Sequence, residues 1–225
     1  MNPVEKNLND LKSNIAAKLT TLSMTSPVQV VAVTKYASDD QIQNLLKTPH
    51  RLLGENKVQD AERKKSQFSD ATISWHMIGH LQSNKVKKAI QIFDCIQSVH
   101  SEKLLRKIDS EAEKAGIKMD VFLQINLTGE PEKSGFTESE LLNQHESFTQ
   151  FQNITIAGLM VMGPNTKDRE KIKKIFERGR YIYDIISKNN QNLNTLSMGM
   201  SHDYEIALET GSTMIRVGSL LMGGQ

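Results

Sequence analysis

Short apolar runs alternate with polar, helix-like segments through most of this chain, and that alternation constrains its fold more than any other feature. Eight runs stand out, at 29–35, 51–55, 74–79, 92–99, 121–126, 154–162, 195–199 and 213–217. Between them, helical candidates start near Ser38, Asn56, Gln82, Ser101, Thr137, Asp168 and Ser201. Ser38 with Gln41, and Thr137 with Glu140, have the spacing of capping boxes. Gly211 stands where a helix should stop. Repetition of strand and helix makes a parallel sheet, because each crossover must carry the chain back to the same end. Eight such units in roughly 200 residues suit a small (β/α)8 barrel. The competitor is an open doubly wound sheet. Its glycine-rich fingerprint is missing, as is a P-loop, and the first strand instead runs into Thr34-Lys35-Tyr36-Ala37-Ser38. The expectation is an α/β chain forming a single (β/α)8 TIM barrel over residues 1–225.

Residues 1–24 precede the first run and carry Val4, Leu8, Leu11, Ile15, Leu19 and Leu22 at helical spacing. That pattern predicts an extra amphipathic N-terminal helix packed on the barrel; a face for gripping another protein is the alternative use of the stripe. The 225 residues include 28 Lys and Arg against 26 Asp and Glu, so the net charge of +2 points to neither nucleic acid nor a membrane surface. One cysteine, Cys95, excludes an internal disulfide framework and suits a reducing compartment. No basic start with an apolar run opens the chain, and 156–162 is too short to span a bilayer, which takes about 20 residues. A cytoplasmic protein is expected.

Barrels of this kind do their chemistry at the C-terminal ends of the strands. Those positions here hold Lys35, Glu55-Asn56, His80, Asn126, the segment 197–201 and Gly218-Ser219. A lysine closing the apolar run Val30-Val31-Ala32-Val33 points toward the barrel mouth. If buried, its amine would be driven toward the neutral form that Schiff-base chemistry uses. Position alone leaves a lysine snorkelling to solvent equally open. Ser197-Met198-Gly199-Met200-Ser201 runs into a helical pattern, and Arg216-Val217-Gly218-Ser219 follows on the next strand. Free N–H groups and hydroxyls after the seventh and eighth strands make an anion site. A reactive lysine facing such a nest suggests a phosphorylated aldehyde. His76 and His80 have a helical metal-pair spacing, but along a strand four residues span about 13 Å, so no metal site is expected. Cys95 reads as a buried small hydrophobe.

Several motifs in one order then carry a resemblance. They are Val31-Ala32-Val33-Thr34-Lys35, Gly54-Glu55-Asn56-Lys57-Val58-Gln59, Trp75-His76-Met77-Ile78-Gly79-His80, Lys133-Ser134-Gly135, Ser197-Met198-Gly199-Met200-Ser201 and Arg216-Val217-Gly218. With these the chain resembles the pyridoxal phosphate homeostasis protein family, whose barrel is that of the alanine racemase N-terminal domain (fold type III of the pyridoxal 5′-phosphate proteins). The resemblance implies that Lys35 binds pyridoxal 5′-phosphate (PLP) as a covalent Schiff base. It places Asn56 near the cofactor ring, Ser201, Gly218 and Ser219 on the phosphate, and Arg216 at the pyridine nitrogen. Arginine cannot take a proton from that nitrogen, so the ring should be a weak electron sink. A second domain carrying a further base is not expected. The function implied is PLP (vitamin B6) homeostasis without strong catalytic activity, in a monomer whose partners are B6 vitamers and apo PLP enzymes. A low-activity PLP-dependent amino-acid racemase is the alternative.

Overall fold

The structure is a computed structural model and describes residues 2–130 and 134–223. Its strands are β1 (Gln29–Val33), β2 (Leu52–Glu55), β3 (Ser74–Met77), β4 (Cys95–Val99), β5 (Met119–Ile125), β6 (Ile154–Val161), β7 (Thr195–Ser197) and β8 (Met214–Val217). All neighbours pair in parallel and in chain order, and β8 returns to β1 to close the barrel. After a first helix, α1 (Pro3–Thr21), the crossovers are built from α2 (Asp39–Leu46), α3 (Val58–Gln67), α4 (Val86–Ile92), α5 (Glu102–Ala115), α6 (Glu138–Gln144), α7 (Arg169–Ser187) and α8 (Tyr204–Glu209). A last short helix, α9 (Ser219–Met222), follows β8. The expected closed barrel is therefore present, with every strand inside or overlapping its apolar run.

Strand alternation divides the core in two. Outward residues such as Ala32, Leu53 and Ile96 join the large cluster between barrel and helices. Inward residues Val31, Cys95, Phe122, Met160 and Met214 form a separate small cluster inside the barrel. Cys95 is buried there, and its thiol is pushed well up by burial. Both capping boxes form: Ser38 with Gln41 starts α2 and Thr137 with Glu140 starts α6. Val4, Leu8, Leu11 and Ile15 of α1 are buried, and α1 lies against α2, α8 and α9. Asn7 ties it down by donating to the Leu221 carbonyl at 3.0 Å. No helix among the described residues is long and apolar enough to cross a membrane.

Two boundaries differ from the sequence expectation for local reasons. Ile92 closes α4 rather than opening β4, because Asp94 interrupts the run and uses its carboxylate to accept from the Trp75 N–H at 2.7 Å. The helix expected at Ser201 begins only at Tyr204. Asp203 accepts from the Met200 N–H at 2.5 Å and Tyr204 N–H donates to the Met200 carbonyl at 2.9 Å, which folds 201–203 into a turn.

Candidate functional site

A cavity of about 660 Å³ opens at the C-terminal end of the barrel and gathers Lys35, Asn56, Ser201, Arg216, Gly218 and Ser219 in its lining. Six residues from four strand ends meet there because parallel strands of one barrel all terminate on the same rim. Lys35 reaches it from a turn after β1, in which the Ala37 N–H donates to the Thr34 carbonyl at 2.9 Å. The side chain is exposed, with Nζ 4.9 Å from the centre of the Tyr36 ring. Sequence position leaves burial and snorkelling to solvent equally open for this lysine, and the structure decides for exposure. Thr34 is the residue that is buried, and Lys35 stands one step further out, where the strand has already ended.

Asn56 is held from the other side by Gly79. A Cβ on that glycine would stand 2.3 Å from the Asn56 carbonyl oxygen, so only glycine lets the β3 end close on the β2 end. Across the mouth, the Gly218 N–H donates to Ser201 Oγ at 3.4 Å and joins the loops after β7 and β8. Gly199, with φ of +96°, turns the first of these loops against α8. Ser219 opens α9, whose first N–H groups have no partner within the helix. Ser201 is thus a loop hydroxyl facing Gly218 rather than a helix cap.

Beneath the cavity a buried polar chain crosses the barrel. Arg216 donates through Nη1 to Ser197 Oγ at 2.7 Å and to the Ser197 carbonyl at 2.9 Å, and through Nη2 to the Val161 carbonyl at 3.0 Å. Ser197 Oγ in turn donates to Gln97 Oε1 at 2.7 Å, and Gln97 Nε2 lies 2.8 Å from His76 Nδ1. An arginine can only donate, so each later role is forced: Gln97 donates, and His76 accepts at Nδ1 and carries its proton on Nε2. Burial pushes the His76 imidazole down to about 4, against an opposing pull from Asp94. Burial likewise lowers Arg216 to about 10, with Asp203 opposing. Burial raises the Asp203 carboxyl, while its hydrogen bond from Met200 and the charge of Arg216 work the other way.

Other strand-end residues go elsewhere. Glu55 faces outward into the helix layer, where Lys64 Nζ meets it at 2.6 Å. Asn126 organises its own loop, accepting from the Thr128 N–H at 3.1 Å and donating to the Glu130 carbonyl at 3.0 Å. Gln124, two residues earlier on the same face, lines the cavity instead. His76 turns to Gln97, whereas His80 stacks on His100 with ring centres 4.6 Å apart. Among the described residues no group of three or more His, Cys, Asp or Glu is placed to hold a metal ion. Lys133, part of the Lys-Ser-Gly motif, lies outside the described residues. Gln97 was overlooked in the sequence, although a glutamine inside the apolar run Cys95–Val99 is the kind of signal that marks an inward polar contact.

The donors present fit a phosphorylated pyridine aldehyde: an accessible amine, a hydroxyl and N–H cluster opposite it, and a cationic donor set into the floor between. Residues 7–225 match the family model described as alanine racemase, N-terminal domain. A pyridoxal phosphate homeostasis protein of Helicobacter pylori is 36% identical over 196 residues, which is 86% of this chain and 86% of the relative. Another, of Vibrio alginolyticus, is 30% identical over 100% of this chain and 99% of the relative. The solved structure of PipY from Synechococcus elongatus with PLP bound is 34% identical, covers 93% of this chain and 100% of that one, and has a TM-score of 0.82. An alanine racemase of Clostridium difficile, 16% identical with a TM-score of 0.80 over 99% of this chain and 57% of that one, shares the fold alone. The chain therefore belongs to the pyridoxal phosphate homeostasis protein family, built on the barrel of the alanine racemase N-terminal domain.

Proposed function

We propose that this chain binds PLP covalently through Lys35 and serves intracellular PLP homeostasis. One observation carries the reading: a single cavity brings the Lys35 amine together with Ser201, Gly218, Ser219 and Arg216. When bound, PLP supplies an aldehyde that an amine can take up and a pyridine ring that can withdraw electrons. Lys35 provides the amine. Ser201 Oγ and the N–H groups of Gly218 and Ser219 hold the phosphate, Asn56 lies by the ring, and Arg216 faces the pyridine nitrogen.

The same floor favours storage or delivery of the cofactor over catalysis. Even lowered to about 10, Arg216 remains protonated near neutral pH, so it can donate to a ring nitrogen and cannot accept from one. A ring without its added proton is the weaker electron sink. Cofactor carriage by a cytoplasmic, monomeric, single-domain protein is the resulting picture, with B6 vitamers and apo PLP enzymes as its partners. The rival is a slow amino-acid racemase that uses Lys35 as its base.

Purified protein is expected to be yellow, and borohydride should fix a phosphopyridoxyl group on Lys35, located by mass spectrometry. A preparation that stays colourless when PLP is added would overturn the reading. Incubating loaded protein with several L-amino acids in deuterated water then separates carrier from racemase. The carrier shows no brisk α-proton exchange; exchange abolished by Lys35→Ala would establish the enzyme.

A further inference from the structure

Behind the Lys35 turn, on the outer face of the barrel, sits a buried ion pair that the cavity does not use. Lys64, from α3, has a side chain only 3% exposed, and Glu55, at the end of β2, is 0% exposed. Lys64 Nζ donates to Glu55 Oε1 at 2.6 Å and to the Thr34 carbonyl at 2.6 Å. Thr34 Oγ1 donates to the same carboxylate oxygen at 2.5 Å, while Glu55 Oε2 is buried with no hydrogen-bond partner among the described residues. Burying two charges is expensive, and a pair that leaves one oxygen unsatisfied is poorly compensated. Stability alone is therefore a weak reason for it. What the pair grips is more telling. The Thr34 carbonyl also accepts from the Ala37 N–H at 2.9 Å, so Lys64 caps the very turn whose second residue is Lys35. Lys35 itself makes no hydrogen bond among the described residues, only the contact with the Tyr36 ring. The turn around it, fixed through the Thr34 carbonyl and the Ala37 N–H, is what the protein holds.

We propose that Glu55 and Lys64 are positioning residues that fix the Lys35 turn for capture of the PLP aldehyde. This rests on the PLP reading above. In the captured state one C=N bond joins Lys35 Nζ to the aldehyde carbon, and one water leaves with the carbonyl oxygen and both protons of the neutral amine. A turn free to wander presents that amine in the right place less often, so capture slows while the rest of the cavity still takes the ligand.

The test uses the double variant Glu55→Gln with Lys64→Met, which removes both charges together and leaves no lone buried ion. Two ligands are compared: PLP, followed by near-visible absorbance and borohydride trapping, and pyridoxine 5′-phosphate, which has the same ring and phosphate and no aldehyde. The expected result is capture of PLP at least about tenfold slower, with pyridoxine 5′-phosphate bound within about twofold of wild type. Unchanged capture by a folded double variant overturns the proposal, and so does equal loss of both ligands with an unchanged melting temperature. If the double variant does not fold, Glu55→Gln with Lys64→Gln, which also removes both charges and keeps a donor at position 64, is judged by the same two readouts. Failure of the wild type to take up PLP defeats the PLP reading instead.

Discussion

Arg216 meets the cavity with Nη1 and Nη2 already committed to Ser197 and Val161, and the consequences run down the chain to His76. Because every donor in that chain points the same way, His76 must stay neutral with its proton on Nε2 for the chain to survive. Nitrogen-15 NMR is expected to show that tautomer; a proton on Nδ1 would break the account. The pH dependence follows from the same residue. His76 is lowered from 6.5 to about 4 in the folded protein, so its unfolded form binds a proton first as pH falls. Its contribution is fully present above about pH 6.5 and is lost progressively down to about pH 4. Between pH 7 and pH 5 the wild type should lose about 2 kcal/mol through this group. Urea melts of wild type and His76→Asn at the two pH values check it, and the variant should lack that part of the decline. Gln97 is hard to see in the sequence because a polar residue beside Ser98 in a five-residue strand does not announce its partners. They come from β3, β7 and β8, far away along the chain.

At the level of elements, what matters is how closely neighbouring strand ends approach. Gly79→Ala places a methyl 2.3 Å from the Asn56 carbonyl oxygen, so the β2 and β3 ends must part. That substitution should destabilise the fold by about 1–3 kcal/mol and weaken PLP binding, measured by calorimetry and by titration of the apo-protein. On the helical side, Leu8 of α1 is 1% exposed, and Leu8→Ala should remove about 2–5 kcal/mol of stability in a urea melt. The stripe that includes Leu8 was readable because helical periodicity is local. Its targets, α2, α8 and α9, were not, since periodicity says that a face is buried and never against what. The start of α8 shows the same limit. The strand–helix pattern puts a helix start near Ser201, and the bond from Met200 to Asp203 moves that start to Tyr204.

For the whole molecule, ligand linkage gives the broadest test. A ligand that binds only the folded barrel should stabilise it by about 2.7 kcal/mol at a hundredfold excess over its Kd. PLP should therefore raise the melting temperature of apo-protein, and Lys35→Ala should reduce the shift while leaving a smaller one from the phosphate and ring contacts. An identical shift in that variant would mean that the covalent link contributes nothing to affinity.

By itself the sequence determined the number and order of the strands, the order of the first helix and the crossover helices, and the two capping boxes. These follow from periodicity and from side chains acting within a few residues of one another. Family motifs added the six proposed PLP contacts, Lys35 among them. Only the tertiary structure decided which strand-end residues share the cavity, since Gln124 enters it and Asn126 and Glu55 turn away. It alone decided that Lys35 is exposed on a turn clamped by Lys64, and that Arg216 stands on a chain of donors ending at His76. The Lys64 clamp and the Arg216 chain depend on hydrogen bonds between groups 19 to 100 residues apart, as between Lys64 and Thr34 or Ser197 and Gln97. Such pairings exist only once the barrel has closed.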